Sequence, residues 1–255
     1  MLTASELRAM RVSESLDTCG NACHMSYVVL AEMRSGGSLI CDLLFHRKAG
    51  VPIEYLNPNY RKDLCSRLKI PNDVCYLDEY VRAIQNLRTS SNGYFGIHCL
   101  FRDLSEMGSP EVAVNFLSRF DRVVILTRKG RLAQAISVMR AQQTGRWESG
   151  LAASKFGLER FDTLAISAQV YHALQRNRLV HALLAKVDRP KLFLDYESIL
   201  DSLESVWSDV QRFVELEPVP ASDLGSAMRR QADSQSEEFA CRYLDFILGR
   251  HSVNE

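Results

Sequence analysis

The chain predicts an α/β fold, with a P-loop-like, mostly parallel central sheet flanked by helices. Strand-like runs alternate with helical patterns along most of its length, the order expected of βα units. Arg122 to Thr127 (RVVILT) is a continuous β-branched run, which suits a sheet covered on both faces. Tyr27 to Leu44 (YVVLAEMRSGGSLICDLL) reads as strand, glycine turn and helix. Glycines let the backbone approach an anion there, and the N–H groups that open the helix point at it.

In chain order, residues 1–24 are polar and predict a short helix followed by an irregular arm. Tyr27 to Ala31 is the first strand, and Leu39, Ile40, Leu43 and Leu44 follow at helical spacing. Ala49-Gly50-Val51-Pro52 stops that helix, because glycine ends it and proline cannot continue it. A loop through Glu54, Tyr55 and Asn57-Pro58-Asn59 leads to a charged stretch, 60–92, expected to hold one or two helices. Tyr94 to His98 (YFGIH) is the second strand, with Gly96 marking a close approach or a bulge. A connecting helix is expected over about 109–119. The third strand, 122–127, ends at Arg128-Lys129-Gly130-Arg131. Leu132, Ala135, Ile136 and Met139 then line one helix face. Residues 142–157, with Trp147, read as a loop able to reach over a site. A long helix over 161–186, a fourth strand over Lys191 to Tyr196 and one amphipathic helix over 199–214 follow. Pro218-Val219-Pro220 breaks that helix, and a last one spans about 237–248. The expected organisation is an arm, 1–25, and a single α/β domain, 26–255.

Composition excludes several classes. Apolar residues make up 46% and charged residues 24%, as in soluble globular proteins. The net charge is zero, so no overall field draws the chain to nucleic acid or to an anionic membrane. No apolar run approaches the roughly 20 residues of a membrane span, and the N-terminus lacks the apolar core of a secretory leader. The seven cysteines are an odd, scattered set, read as reduced thiols of a cytoplasmic protein. Cys19, Cys23 and His24 resemble part of a metal site, but no second cluster completes it, and no metal is expected.

In such sheets ligands sit beyond the carboxyl ends of the strands, where Arg34, His98 and Arg128 are expected to project. A nucleoside triphosphatase loop needs Gly-Lys-Ser/Thr. Here Gly37 is followed directly by Ser38, and the nearby charge, Arg34, comes earlier. The glycines do not fit a dinucleotide-binding fingerprint either. Arg128 ends the third strand, and Ser137 lies about two turns into the next helix, so guanidinium and hydroxyl are able to hold one phosphate. Two separated phosphate sites in one sheet suit 3′-phosphoadenosine 5′-phosphosulfate (PAPS).

Five segments, in order, then carry a family likeness: RSGGSLICDLL, AGVPIEY, GYFGIHCLF, LTRKGRLAQAISVMRAQQTGRW and RQADSQSEEFACRY. Together they resemble the bacterial trehalose 2-sulfotransferase-like (Stf-type) sulfotransferases, and they extend from about residue 26 to 243. The resemblance implies the sulfotransferase fold and sulfuryl transfer from PAPS to a carbohydrate or glycolipid hydroxyl, leaving adenosine 3′,5′-bisphosphate. It implies that Arg34, Ser35, Gly36, Gly37 and Ser38 hold the 5′-phosphosulfate, with Arg34 also catalytic. Arg128 and Ser137 take the 3′-phosphate, and Arg230 and Gln231 close over the nucleotide. Glu54, Tyr55 and Phe101 fall with the acceptor, where Trp147 is also placed by its loop. A homodimer is the family-level expectation.

Several positions depart from the family pattern. Gly37 and Ser38 replace serine and threonine, Met33 replaces glutamine, and Gly130-Arg131 replaces an Asp-Lys pair. His98 occupies a lysine position. Val51 stands where the trehalose enzyme has the glutamate proposed as its base, leaving His98 and Glu54 as candidates for that role. Two competing readings are a kinase or phosphatase on the same kind of loop, and a degenerate relative that keeps the nucleotide pocket for binding.

Overall fold

The computed structural model describes residues 3–147, 159–225 and 233–250. Four parallel strands form one sheet in the order β2-β1-β3-β4: β1 Met25–Ala31, β2 Tyr94–Leu100, β3 Arg122–Thr127 and β4 Lys191–Asp195. Helices α1 Ala4–Val12, α2 Gly37–His46, α3 Pro58–Leu68 and α4 Leu77–Arg88 precede β2. Then come α5 Phe101–Ser105, α6 Pro110–Leu117, α7 Arg131–Thr144 and α8 Thr163–Leu184. The last three are α9 Tyr196–Asp201, α10 Leu203–Phe213 and α11 Ser234–Ile247. The α/β class and the parallel sheet expected from the sequence are those observed.

Strands β1, β2 and β3 match the expected runs closely because both of their faces are buried, whereas β4 is only partly covered and Phe193 is exposed. Every residue of β1 is buried. Side chains alternate between faces with period two. Val28, Leu30, Phe95, Ile97, Val123 and Ile125 enter one core, which α4, α6 and the end of α8 complete. Tyr27, Val29, Ala31, Val124 and Leu126 enter the other, closed by α2 and α10. Gly96 marks a close approach, as expected. It lies opposite Tyr27 in the register, and a Cβ at Gly96 would come within 2.2 Å of the Tyr27 ring.

Two details differ from expectation. The stretch 199–214 is two helices, because Ser202 leaves helical geometry and caps α10 by accepting from the N–H of Ser205. The short helix α5 follows β2 directly, started by Asp103, whose carboxylate accepts from the N–H of Leu100 at 2.8 Å.

Contacts divide the chain into two compact units. The larger comprises Ser5–Lys129 and Arg176–Ser226 and contains the whole sheet. The smaller comprises Met1–Ala4, Gly130–Gln175 and Ala227–Glu255. In the smaller unit, Ile136, Met139, Ile166 and Phe239 form a separate apolar cluster. Arg140 joins Glu159 and Asp233 there, at 2.5 Å each. No helix among the described residues is long and apolar enough to cross a membrane.

Within the larger unit the N-terminal arm is tied down by charge. Asp17 lies 3.2 Å from Nε of Arg88, a fully buried side chain, and 3.1 Å from Nη1 of Arg67. Removing one partner of such a pair leaves a buried charge without its counterion. Asp17→Ala should therefore lower the unfolding free energy by about 2–4 kcal/mol, measured by urea denaturation. A change below about 0.5 kcal/mol, the range of an ordinary surface substitution, would show that the arm is not held by this contact.

Candidate functional site

The site forms where β1, β2 and β3 end. Beyond β1, Glu32 continues the sheet by donating its N–H to the Leu126 carbonyl at 2.9 Å. The chain then turns sharply. Arg34 has φ of +62°, a left-handed conformation that costs a non-glycine residue free energy. Ser35 is fully buried, and its hydroxyl donates to the Glu32 carbonyl at 2.7 Å, closing the turn.

Gly36 and Gly37 complete this turn for different reasons. Gly36 is the N-cap of α2 with φ of +90°, which glycine adopts without a Cβ penalty. Gly37 admits a neighbour: a Cβ there would stand 2.5 Å from Nε2 of His98 and 2.7 Å from Cβ of Ala31. Gly36, as N-cap, has no side chain to cap the first turn of α2, which also contains Ser38. The loop is thus built from backbone, with its N–H groups at the positive end of a helix.

His98 lies two residues before the end of β2 and is buried, with only 5% of its surface exposed. Its N–H donates to the Ile53 carbonyl at 3.0 Å, which brings the loop after Pro52 alongside the strand. Nδ1 of His98 is 3.7 Å from Oε1 of Glu54, an ion-pair distance when the imidazole is charged. Glu54 also accepts from Asn57 at 3.2 Å. The imidazole therefore spans the space between a carboxylate and the glycine loop.

Arg128 follows β3 immediately. Its Nη1 donates to the Arg34 carbonyl at 3.0 Å, and its Cζ lies 4.4 Å from the centroid of the Tyr196 ring, a cation–π contact. Its backbone N–H donates to Oε2 of Glu32 at 2.8 Å. Next to it Lys129 pairs with Asp195 at 2.8 Å, and the bond holds the Asp195 carboxyl below the usual carboxylate range.

The structure brings Arg34, Ser35, Gly36, Gly37, Ser38, His98, Glu54 and Arg128 to one end of one sheet. Other expected residues lie elsewhere. Tyr55 is fully buried; its hydroxyl donates to the Val51 carbonyl at 2.7 Å and its carbonyl accepts from Tyr80, so it braces the loop from the core side. Phe101 opens α5 and is buried in the same core. Ser137 is half-buried on α7, and Trp147 is exposed just beyond it, both in the smaller unit. Arg230 and Gln231 lie outside the described residues.

Reading the sequence missed Glu32, Asp103, Asn177 and Tyr196. Glu32 sat in plain view as a charge at the end of an apolar strand, a pattern that signals a buried, paired carboxylate. Asn177 and Tyr196 come from elements distant in the chain and left no local sign, and Asp103, just after β2, gave no sign of its burial. Among the described residues no three His, Cys, Asp or Glu side chains gather as metal ligands.

The model of the Stf0 sulphotransferase family matches residues 26–245. The chain belongs to that family. Its chemistry is accordingly sulfuryl transfer, the reaction its sequence motifs implied. No curated protein matches the sequence. Among solved structures, this Stf0 sulfotransferase is similar to the sulfotransferase domain from the curacin biosynthetic pathway. The identity is 14% over 85% of this chain and 83% of that one, with a TM-score of 0.48. A sulfotransferase from Alicyclobacillus acidocaldarius is 13% identical over 90% and 98%, with a TM-score of 0.45. Retinol dehydratase in complex with androsterone and the inactive cofactor PAP is 14% identical over 90% and 82%, with a TM-score of 0.44.

One titration in this sulfotransferase is set by burial. Burial pushes the Asp103 carboxyl up to about 6; the nearby Glu54 charge adds to the shift and the Leu100 N–H opposes it. The unfolded carboxyl titrates near 3.9. The stabilising effect of holding this proton is thus fully present below about pH 4 and is lost as pH rises through about 6, roughly 3 kcal/mol in all. Asp103→Asn keeps the oxygen that accepts from Leu100 and carries no charge. Its stability relative to the native protein should rise between pH 4 and 7, read from melting temperatures. A difference that does not change with pH would contradict the raised titration.

Proposed function

We propose that this Stf0 sulfotransferase moves the sulfuryl group of PAPS to a hydroxyl of a carbohydrate or glycolipid, with His98 as the general base. The reading rests on one observation: the buried His98 imidazole lies between the Glu54 carboxylate and Gly37 of the glycine loop. The donor set suits a nucleotide with an anionic group at each of two positions. A backbone loop with Arg34 serves the 5′ end, and Arg128, one strand over, serves the 3′-phosphate.

PAPS supplies a sulfuryl group on a phosphate leaving group. In-line transfer forms a bond from the acceptor oxygen to sulfur and breaks the bond from sulfur to the phosphate oxygen. The acceptor's proton passes to Nε2 of His98. Glu54 favours a proton on Nδ1, which keeps Nε2 as the accepting nitrogen, and it stabilises the imidazolium that results. Arg34 and the N–H groups at the start of α2 meet the negative charge that grows on the leaving oxygen. The products are the sulfate ester and adenosine 3′,5′-bisphosphate. Gly37 belongs to the same design, because a side chain there would displace the imidazole.

The test is transfer of labelled sulfate from PAPS across a panel of cell glycans, with retention on immobilised adenosine 3′,5′-bisphosphate and on ATP measured in parallel. Retention on the bisphosphate alone is expected; retention on ATP alone would favour a kinase. Arg34→Ala should lower turnover by roughly 10² or more, as removal of a preorganised donor commonly does. His98→Asn should cost a similar factor, about 10², and flatten the acid limb of the pH–rate profile. Glu54→Gln should cost about tenfold. A greater loss in Glu54→Gln than in His98→Asn would move the base to Glu54.

A further inference from the structure

Glu32 is a carboxylate with 5% of its surface exposed, standing between two proposed phosphate ligands. A negative charge there repels an anionic ligand, and its burial carries a desolvation cost. A side chain that only filled space would avoid both. Its contacts account for its presence. Oε2 accepts from the backbone N–H of Arg128 at 2.8 Å, and Oε1 accepts from Nδ2 of Asn177, on α8, at 3.0 Å. Its own carbonyl accepts from the hydroxyl of Ser35 in the glycine loop. One residue thus joins the loop after β1, the end of β3 and a flanking helix.

Arg128 is held at both ends as a result. Its backbone is fixed by Glu32, and its guanidinium lies between the Arg34 carbonyl and the Tyr196 ring. A chain end leaving a strand has free dihedrals unless something pins its N–H, and a long side chain amplifies any backbone rotation. We propose that Glu32 is a positioning residue for recognition of the 3′-phosphate: it sets where Arg128 leaves β3, and Asn177 sets the orientation of Glu32. This rests on the proposed use of PAPS, and it concerns selection between nucleotides, with no part in bond making.

Charge gives the proposal a sign that can be checked. If Glu32 acted through its charge alone, removing it would tighten the binding of every adenine nucleotide. If it acted by general support of the fold, removing it would weaken all of them alike. Positioning of Arg128 predicts a loss confined to nucleotides bearing a 3′-phosphate.

The experiment is titration calorimetry of the full chain with adenosine 3′,5′-bisphosphate and with AMP, which lacks only the 3′-phosphate. The native protein should bind the bisphosphate at least about tenfold tighter, one charge-assisted phosphate contact. Glu32→Ala should reduce that ratio to about threefold or less, and Arg128→Ala should reduce it equally. Glu32→Gln keeps an oxygen to accept from the Arg128 N–H and should retain the ratio. Asn177→Ala should lower it by about threefold, and this variant decides the matter if Glu32→Ala does not fold. A native protein that binds neither nucleotide would overturn the proposed function itself. A native ratio of tenfold or more, unchanged in Glu32→Ala or in Asn177→Ala, would overturn the role of Glu32 and leave the function standing. A ratio lost in Glu32→Gln as fully as in Glu32→Ala would also overturn it.

Discussion

Strand β1 has a parallel neighbour on each side, and that placement governs the site. Because all four strands point the same way, the residues leaving β1, β2 and β3 emerge at one edge of the sheet. The glycine loop leaves the middle strand. His98 comes from one neighbour and Arg128 from the other. A reordering that put β1 at an edge would separate these groups by a strand spacing of about 5 Å or more. Short-range chemistry then follows from long-range pairing, and the apolar alternation that buries both faces holds the pairing in register.

Charge at this edge is arranged in a compact pattern. Glu32, Glu54 and Asp103 are acids taken wholly or partly out of water, and each is engaged by a specific donor or cation. Glu32 receives the Arg128 N–H and the Asn177 amide, Glu54 faces His98, and Asp103 receives the Leu100 N–H. Buried acids are costly unless so engaged, and each of these three fixes a backbone segment or an imidazole at the strand ends. Arg34 and Arg128 follow the ends of the neighbouring strands β1 and β3. The local field is therefore built by placement within a chain of zero net charge.

Gly37 and His98 fit each other in space. The imidazole lies where a side chain at 37 would stand, so the smaller residue makes room for the histidine. Val51 is buried, and its carbonyl receives the Tyr55 hydroxyl. That segment serves as a brace for the loop carrying Glu54.

The amino-acid order by itself determined the α/β class, the four strands, and a glycine turn after the first of them. These are local matters: continuous β-branched runs, helical spacing of apolar residues, and glycines where the backbone must turn. The family was legible too, because its motifs lie in short contiguous segments. The same reading placed Tyr55 and Phe101 near the acceptor, since their positions in the chain do not reveal which way a side chain faces. Both turn into the core. Only the tertiary structure decided that Glu32 meets Arg128 and Asn177, that His98 fills the space left by Gly37, and that Asp103 keeps its proton to about pH 6. Those partners lie tens of residues apart or more in the chain, except for Asp103, whose burial depends on the whole core. Hydrogen bonding and desolvation act through space, so their outcome exists once the sheet has brought distant segments to a single edge.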